Sequence, residues 1–207
     1  MSIIHKNPYR MPSVTLGVMP EESRRISEIY LEHQNWNDCR SVYLNDDVMT
    51  QKTLAGRKRV FSEIKYRLQQ FSEDELLAFK SADLNDQKLL IYLAACRGYP
   101  FLKDWVLEVL REKFISGDHL LRDYEFEQFW DQKSSIYPQV QNLGESSKSG
   151  IRKAVFRFLA EVEIFRSTKD LVIQAPRTSH LLVRLLKANS IAWLKIFLLS
   201  DKEIQSI

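Results

Sequence analysis

Apolar residues recur along this chain at helical spacing, three and four apart, in block after block. Ile26, Ile29 and Tyr30 form one such face behind Pro20, a residue suited to a first helical position. A second helix opens at Asn35 or Asn37, runs through Val42 and Leu44, and ends near Asn45-Asp46-Asp47. Val60, Phe61, Ile64, Leu68 and Phe71 stripe a helix from about Leu54 to Phe71. Ser72-Glu73-Asp74-Glu75 reads as a capping box. Asn85 or Asp86 starts a helix through Leu89, Leu90, Leu93 and Ala94 that stops at Gly98. Pro100 restarts one through Phe101, Trp105, Leu107, Val109 and Leu110, closed by Gly117.

Asp123 opens a helix carrying Phe126, Phe129 and Trp130, and Pro138 and Gly144 bracket a short turn of helix. Ser146 or Ser147 starts a long one through Ile151, Val155, Phe158, Leu159 and Val162. Leu171-Val172-Ile173 is the one candidate strand, a possible stub of a wing. Ser179 caps a helix through Leu182, Leu185 and Leu186, and a last one follows through Trp193 and Phe197. Residues 1–19, with Pro8, Pro12 and Gly17, form an irregular arm carrying Lys6 and Arg10 and no acid. The expected fold is all-α: a compact multi-helix globular unit over 1–207, with at most one short hairpin. Its N-terminal lobe is 20–84 and its C-terminal lobe 85–207.

Composition agrees. With 44% hydrophobic and 28% charged residues the chain is globular rather than disordered. Only 6 Gly and 6 Pro in 207 residues favour long helices over an all-β fold. Cys39 and Cys96 sit in apolar segments and read as buried thiols. The N-terminus lacks a signal-peptide pattern, and neither Leu89–Cys96 nor Ile191–Leu199 reaches the ~20 apolar residues of a membrane span. Both are expected to be buried core helices in a cytoplasmic protein. The four histidines have no metal-like spacing, and there is no phosphate-binding glycine loop and no nucleophile elbow. No enzyme, metal or cofactor is expected. No heptad run is long enough for a coiled coil, so a monomer is expected.

Net charge is only +3, but it is unevenly placed. Residues 52–67 hold six bases (Lys52, Arg57, Lys58, Arg59, Lys65, Arg67) against Glu63, and 104–131 hold eight acids against three bases. Two helices share a string: Arg57-Lys58-Arg59-Val60-Phe61 and Arg152-Lys153-Ala154-Val155-Phe156 match at four of five positions. Each follows a small polar segment, Thr53 to Gly56 and Ser146 to Gly150, the latter including Lys148. Each also follows a short helix and a turn, which is a helix-turn-helix layout over about 36–71 and 123–165. At 100° per residue Lys58, Ser62, Lys65 and Gln69 point away from the first apolar stripe, and Lys153, Arg157 and Ala160 from the second. Arg57 and Arg152 are read at the helix starts, where bases and free backbone N–H groups can meet phosphates.

The candidate DNA-binding residues are therefore Lys52, Arg57, Lys58, Arg59, Lys65, Lys148, Arg152, Lys153 and Arg157. Solvated basic faces, a protein-docking adaptor using the acidic 104–131 stretch, and an RNA-binding factor remain the alternatives.

Further strings carry a resemblance: Glu22-Ser23-Arg24-Arg25-Ile26; Arg57-Lys58-Arg59 with Glu63-Ile64 and Arg67-Leu68; and Ala95-Cys96-Arg97 leading to Glu108-Val109-Leu110-Arg111-Glu112-Lys113. In order and spacing, over roughly residues 9 to 200, the chain resembles BrxA, the small helical protein of BREX (bacteriophage exclusion) systems. The resemblance implies an all-helical, non-catalytic protein with helix-turn-helix elements that binds double-stranded DNA. It implies work beside a methyltransferase and an ATPase in phage defence. At Arg152 the string has Ala154 in place of a third base, which weakens that half of the match.

Overall fold

A computed structural model describes residues 9–45 and 53–207. The helices are α1 (Pro20–His33), α2 (Trp36–Leu44), α3 (Leu54–Leu68), α4 (Glu73–Ser81), α5 (Leu84–Gly98), α6 (Pro100–Trp105), α7 (Arg111–Ser116), α8 (Asp123–Ile136), α9 (Pro138–Gln141), α10 (Glu145–Glu161), α11 (His180–Asn189) and α12 (Asp201–Ser206). Among the described residues there is no strand, so the all-α reading holds. Leu171-Val172-Ile173 contributes only single bridges, Val172 to Leu120 and Ile173 to Phe165.

Local chemistry sets most boundaries. Asn35 and Thr53 cap α2 and α3, each side chain accepting a backbone N–H of the first turn. Ser72 and Glu75 form the expected capping box. Gly117 ends α7 at φ 84, a left-handed position that glycine takes without a Cβ clash. Two starts differ from the sequence reading. Asp83, not Asn85 or Asp86, caps α5 by accepting from the Asp86 N–H. α10 begins at Glu145 behind Gly144 rather than at Ser146 or Ser147.

α5 is the spine. Every residue from Leu89 to Cys96 is buried, as in a helix packed on all sides. α1, α3, α4, α6 and α11 pack against it. Around Phe101 and Trp105, Phe126, Phe129, Trp130 and Phe156 meet edge to face or stacked. Burial pushes the Cys39 thiol up to about 11, and the Cys96 thiol is raised too, so both act as small hydrophobes. The expected core helix at 191–199 is instead a 3₁₀ segment, Ile191–Phe197. Its tighter winding lines up Leu194 and Phe197, three apart, on the buried side; Ile196 is buried beside them, while Ile191, the first residue of the segment, stays exposed.

Glu75 gives the fold a measurable acid sensitivity. Its carboxylate is fully buried and takes two hydrogen bonds from Arg97, at 2.6 and 2.8 Å. Burial alone would raise its pKa; the bonds from Arg97 and Ser72 outweigh this and hold it below the ordinary 4.5. A lowered folded pKa stabilises above the unfolded value and is lost as pH falls through the folded one. Glu75→Gln should therefore cost about 1–3 kcal/mol at neutral pH. In urea melts its gap from wild type should narrow as pH drops from about 5 to about 3.

The N-terminal arm packs as a strap. Leu16 and Val18 are buried, and Tyr9 stacks on Tyr137 at 3.6 Å. Four polar bonds tie residues 13–18 to α3 and α10. Ser13 donates to Glu63 (3.0 Å), Arg67 to the Gly17 carbonyl (2.7 Å) and Arg157 to the Leu16 carbonyl (2.7 Å), while the Val18 N–H donates to Glu161 (2.7 Å).

Candidate nucleic-acid interface

The strap, α3, α5 and α10 enclose a cleft of about 610 Å³. Val14 to Pro20, without Leu16, form one wall; Gly56, Arg59 and Val60 come from α3, Lys88 from α5, and Arg157 and Glu161 from α10. α1 starts at its rim with no side-chain cap. Arg59 and Lys88 have no hydrogen-bond or ion-pair partner among the described residues, and Arg157 is half exposed with Glu161 one turn on at 3.8 Å. Arg59, from the first repeated string, and Arg157, the residue just after the second, thus reach the same cleft.

The other candidates separate. Lys58 and Lys153 are exposed and carry no side-chain partner among the described residues; Lys153 lies one turn before Arg157 on the same face of α10. Lys65 is partly buried, its Nζ 5.5 Å from the Trp36 ring centre. Arg57 sits in the first turn of α3 as expected, but its guanidinium donates to the Leu44 carbonyl at 3.1 Å, capping the end of α2. Lys52 lies outside the described residues.

Two readings are corrected at α10. Arg152 is not at the helix start but two turns in, because the helix begins at Glu145. It bonds Asp123 at 2.6 Å and lies over Phe156, 5.0 Å from the ring centre. Lys148 is drawn onto Glu127 and Asp131; burial alone would lower its pKa, and these carboxylates hold it above the ordinary value. The small residue Gly150 is inside α10, and what approaches it is the strap: a Cβ there would stand 2.9 Å from Val14.

The acidic 104–131 stretch is largely paired within the fold. Lys113 holds Asp118 and Glu125, and Lys133 holds Asp104 and Glu108. Lys88 was missed from sequence. It is half-buried on α5, and the signal available was its place as the one charged residue between Asp86 and Arg97, at the head of the apolar run from Leu89 to Cys96.

Among the described residues no helix is long and apolar enough to cross a membrane, and no three His, Cys, Asp or Glu side chains are grouped to hold a metal ion. The BrxA family profile matches residues 7–190. No curated protein matches the chain. A crystal structure of an uncharacterized protein from Magnetospirillum magneticum superposes with a TM-score of 0.76 at 20% identity, covering 88% of this chain and 93% of that one. At that identity the likeness speaks for the fold alone.

Proposed function

We propose that this chain, which belongs to the BrxA family and so is a BREX-associated protein, is a monomeric, non-catalytic accessory subunit that binds double-stranded DNA mainly through phosphates. The observation that carries this reading is the convergence on one cleft of Arg59, from the first repeated string, Arg157, the residue just after the second, and Lys88. Elsewhere, Lys113, Lys133, Lys148 and Arg152 are neutralised by neighbouring carboxylates. Unneutralised, exposed bases on one surface are what a phosphate backbone selects. Lys58 and Lys153 extend the surface outward from the cleft. Arg57, Lys148 and Arg152 serve it by fixing α2, α3, α8 and α10. Within a BREX system the partners would include the methyltransferase and the ATPase.

The test is fluorescence anisotropy with a short DNA duplex at two salt concentrations. Lys58→Glu with Lys153→Glu should weaken binding at least about tenfold and reduce the magnitude of the log–log salt slope by about 2, near 0.9 per phosphate contact. Reversal of two exposed lysines elsewhere, Lys80→Glu with Lys202→Glu, is the control and should change far less. An unchanged affinity and slope in the folded first variant would reject the reading. Equal or tighter binding of duplex RNA would move it to the RNA alternative.

A further inference from the structure

We propose that the cleft is a receptor for a terminal phosphate monoester carried by a nucleotide, presented either at the 5′ end of a DNA strand or on a free nucleoside monophosphate. The DNA-end source rests on the duplex reading above; the free nucleotide does not.

The first argument is charge. Arg59, Lys88 and Arg157 line the cleft against the single carboxylate of Glu161. That carboxylate is already engaged by the Val18 N–H at 2.7 Å and by Arg157. A terminal phosphate carries about −1.5 to −2 charge near pH 7 and three strong acceptor oxygens, whereas an internal phosphodiester carries one charge. The excess of positive charge in the cleft matches the terminal group. Arg59 and Lys88 are uncommitted among the described residues, so no internal ion pair must break on binding.

The second argument is shape. An internal phosphate of a duplex sits on a convex rod, with the strand leaving on both sides. Here the strap walls off one side, so a continuing strand can pass along the mouth of the cleft, beside its bases, but would meet residues 15–20 on entering it. A chain end has nothing beyond its phosphate and can enter. The volume, about 610 Å³, falls in the range of small-molecule sites. Val14, Val18 and Val60 also line the cleft and offer apolar surface for sugar and base.

The experiment compares two blunt duplexes of equal sequence, one with 5′-phosphates and one with 5′-hydroxyls, by anisotropy. In parallel, dAMP is titrated and followed by phosphorus NMR line broadening. The phosphorylated duplex should bind at least about fivefold tighter, and dAMP should erase that preference. Arg59→Gln with Lys88→Gln should abolish the dAMP broadening and bring the two duplexes to one shared affinity, lower than wild type because both side chains also belong to the duplex surface. Neither substitution removes a contact that holds the fold, and a thermal melt checks this. Should both duplexes bind equally and dAMP stay sharp, the cleft proposal falls while duplex binding stands. Broadening of dAMP without binding of either duplex would keep the cleft as a nucleotide pocket and reject the duplex reading. A 5′-phosphate preference that survives the double substitution would place that site elsewhere and overturn the proposal.

Discussion

Glu63→Ala is expected to destabilise the protein by about 3–5 kcal/mol, the cost of leaving one buried charge without its counter-charge. Arg67 is 2% exposed, and Glu63 is the carboxylate beside it, 3.5 Å away. Burial pushes the Arg67 pKa down, and Glu63 opposes that first among its neighbours. Tyr99 donates to both Glu63 oxygens at 2.8 Å; burial, and then that carboxylate, push the phenol well above its ordinary range, so it stays a donor. Ser13 adds a bond from the strap. Removing Glu63 strips Tyr99 and Ser13 of their acceptor and Arg67 of its counter-charge. Urea denaturation at neutral pH gives the measurement. The double variant Glu63→Leu with Arg67→Met, which removes both charges and keeps the volume, should recover much of the loss. A Glu63→Ala protein within about 0.5 kcal/mol of wild type would show that the pair is not acting as a buried charge pair.

Trp105→Ala should cost a similar amount, about 3–5 kcal/mol, through the cavity it leaves. The ring is fully buried between Phe126 and Phe129, with centroids at 5.2 and 5.1 Å, and stacks on Phe156 at 6.3 Å. Its indole N–H has no acceptor among the described residues. Trp105→Phe keeps an aromatic ring in place and removes that orphan donor, so it should lose far less than alanine. Near-equal losses for the two in chemical denaturation would contradict this account. Because Phe126 and Phe156 sit on α8 and α10, the alanine variant should also loosen both helices, and with them Arg152 and Arg157 on α10.

Much of this architecture could be read from residue order because its causes are local. The 3–4 apolar spacing, the Ser72–Glu75 box, Pro20, Pro100 and Gly117 each act within a turn or two. Ile64, Leu68, Leu93, Val155 and Leu159 were legible as core for the same reason and are buried. Where several polar residues crowded one start, as at Asp83 to Asp86 or Gly144 to Ser147, spacing could not choose among them. The candidate site was legible only in part, because its causes are long-range. Arg152 looked available, but Asp123, 29 residues earlier, takes its guanidinium. Lys148 is taken in the same way from α8. Lys88 is isolated in sequence, and only the packing of α5 beside α3 and α10 brings it to Arg59 and Arg157. The strap was read as irregular, and nothing in its composition announced that its carbonyls would receive Arg67 and Arg157. Leu171-Val172-Ile173 had the β-branched look of a strand, yet its neighbours offer only one bridge on each side.

The helical stretch from Pro100 to Ser116 is interrupted by one wide π turn, Val106–Leu110, in which the Arg111 N–H reaches back to the Val106 carbonyl. Such a turn offsets everything after it by about one residue of phase, roughly 100° around the axis. Upstream of the offset, Phe101 and Trp105 point into the aromatic core. Downstream, Arg111 swings to the Leu199 carbonyl and Asp201, and Lys113 to Asp118 and Glu125. A single rod is thereby geared to two neighbours that an unbroken α-helix could not address with the same residues. The C-terminal segment is held to the body through this change of pitch.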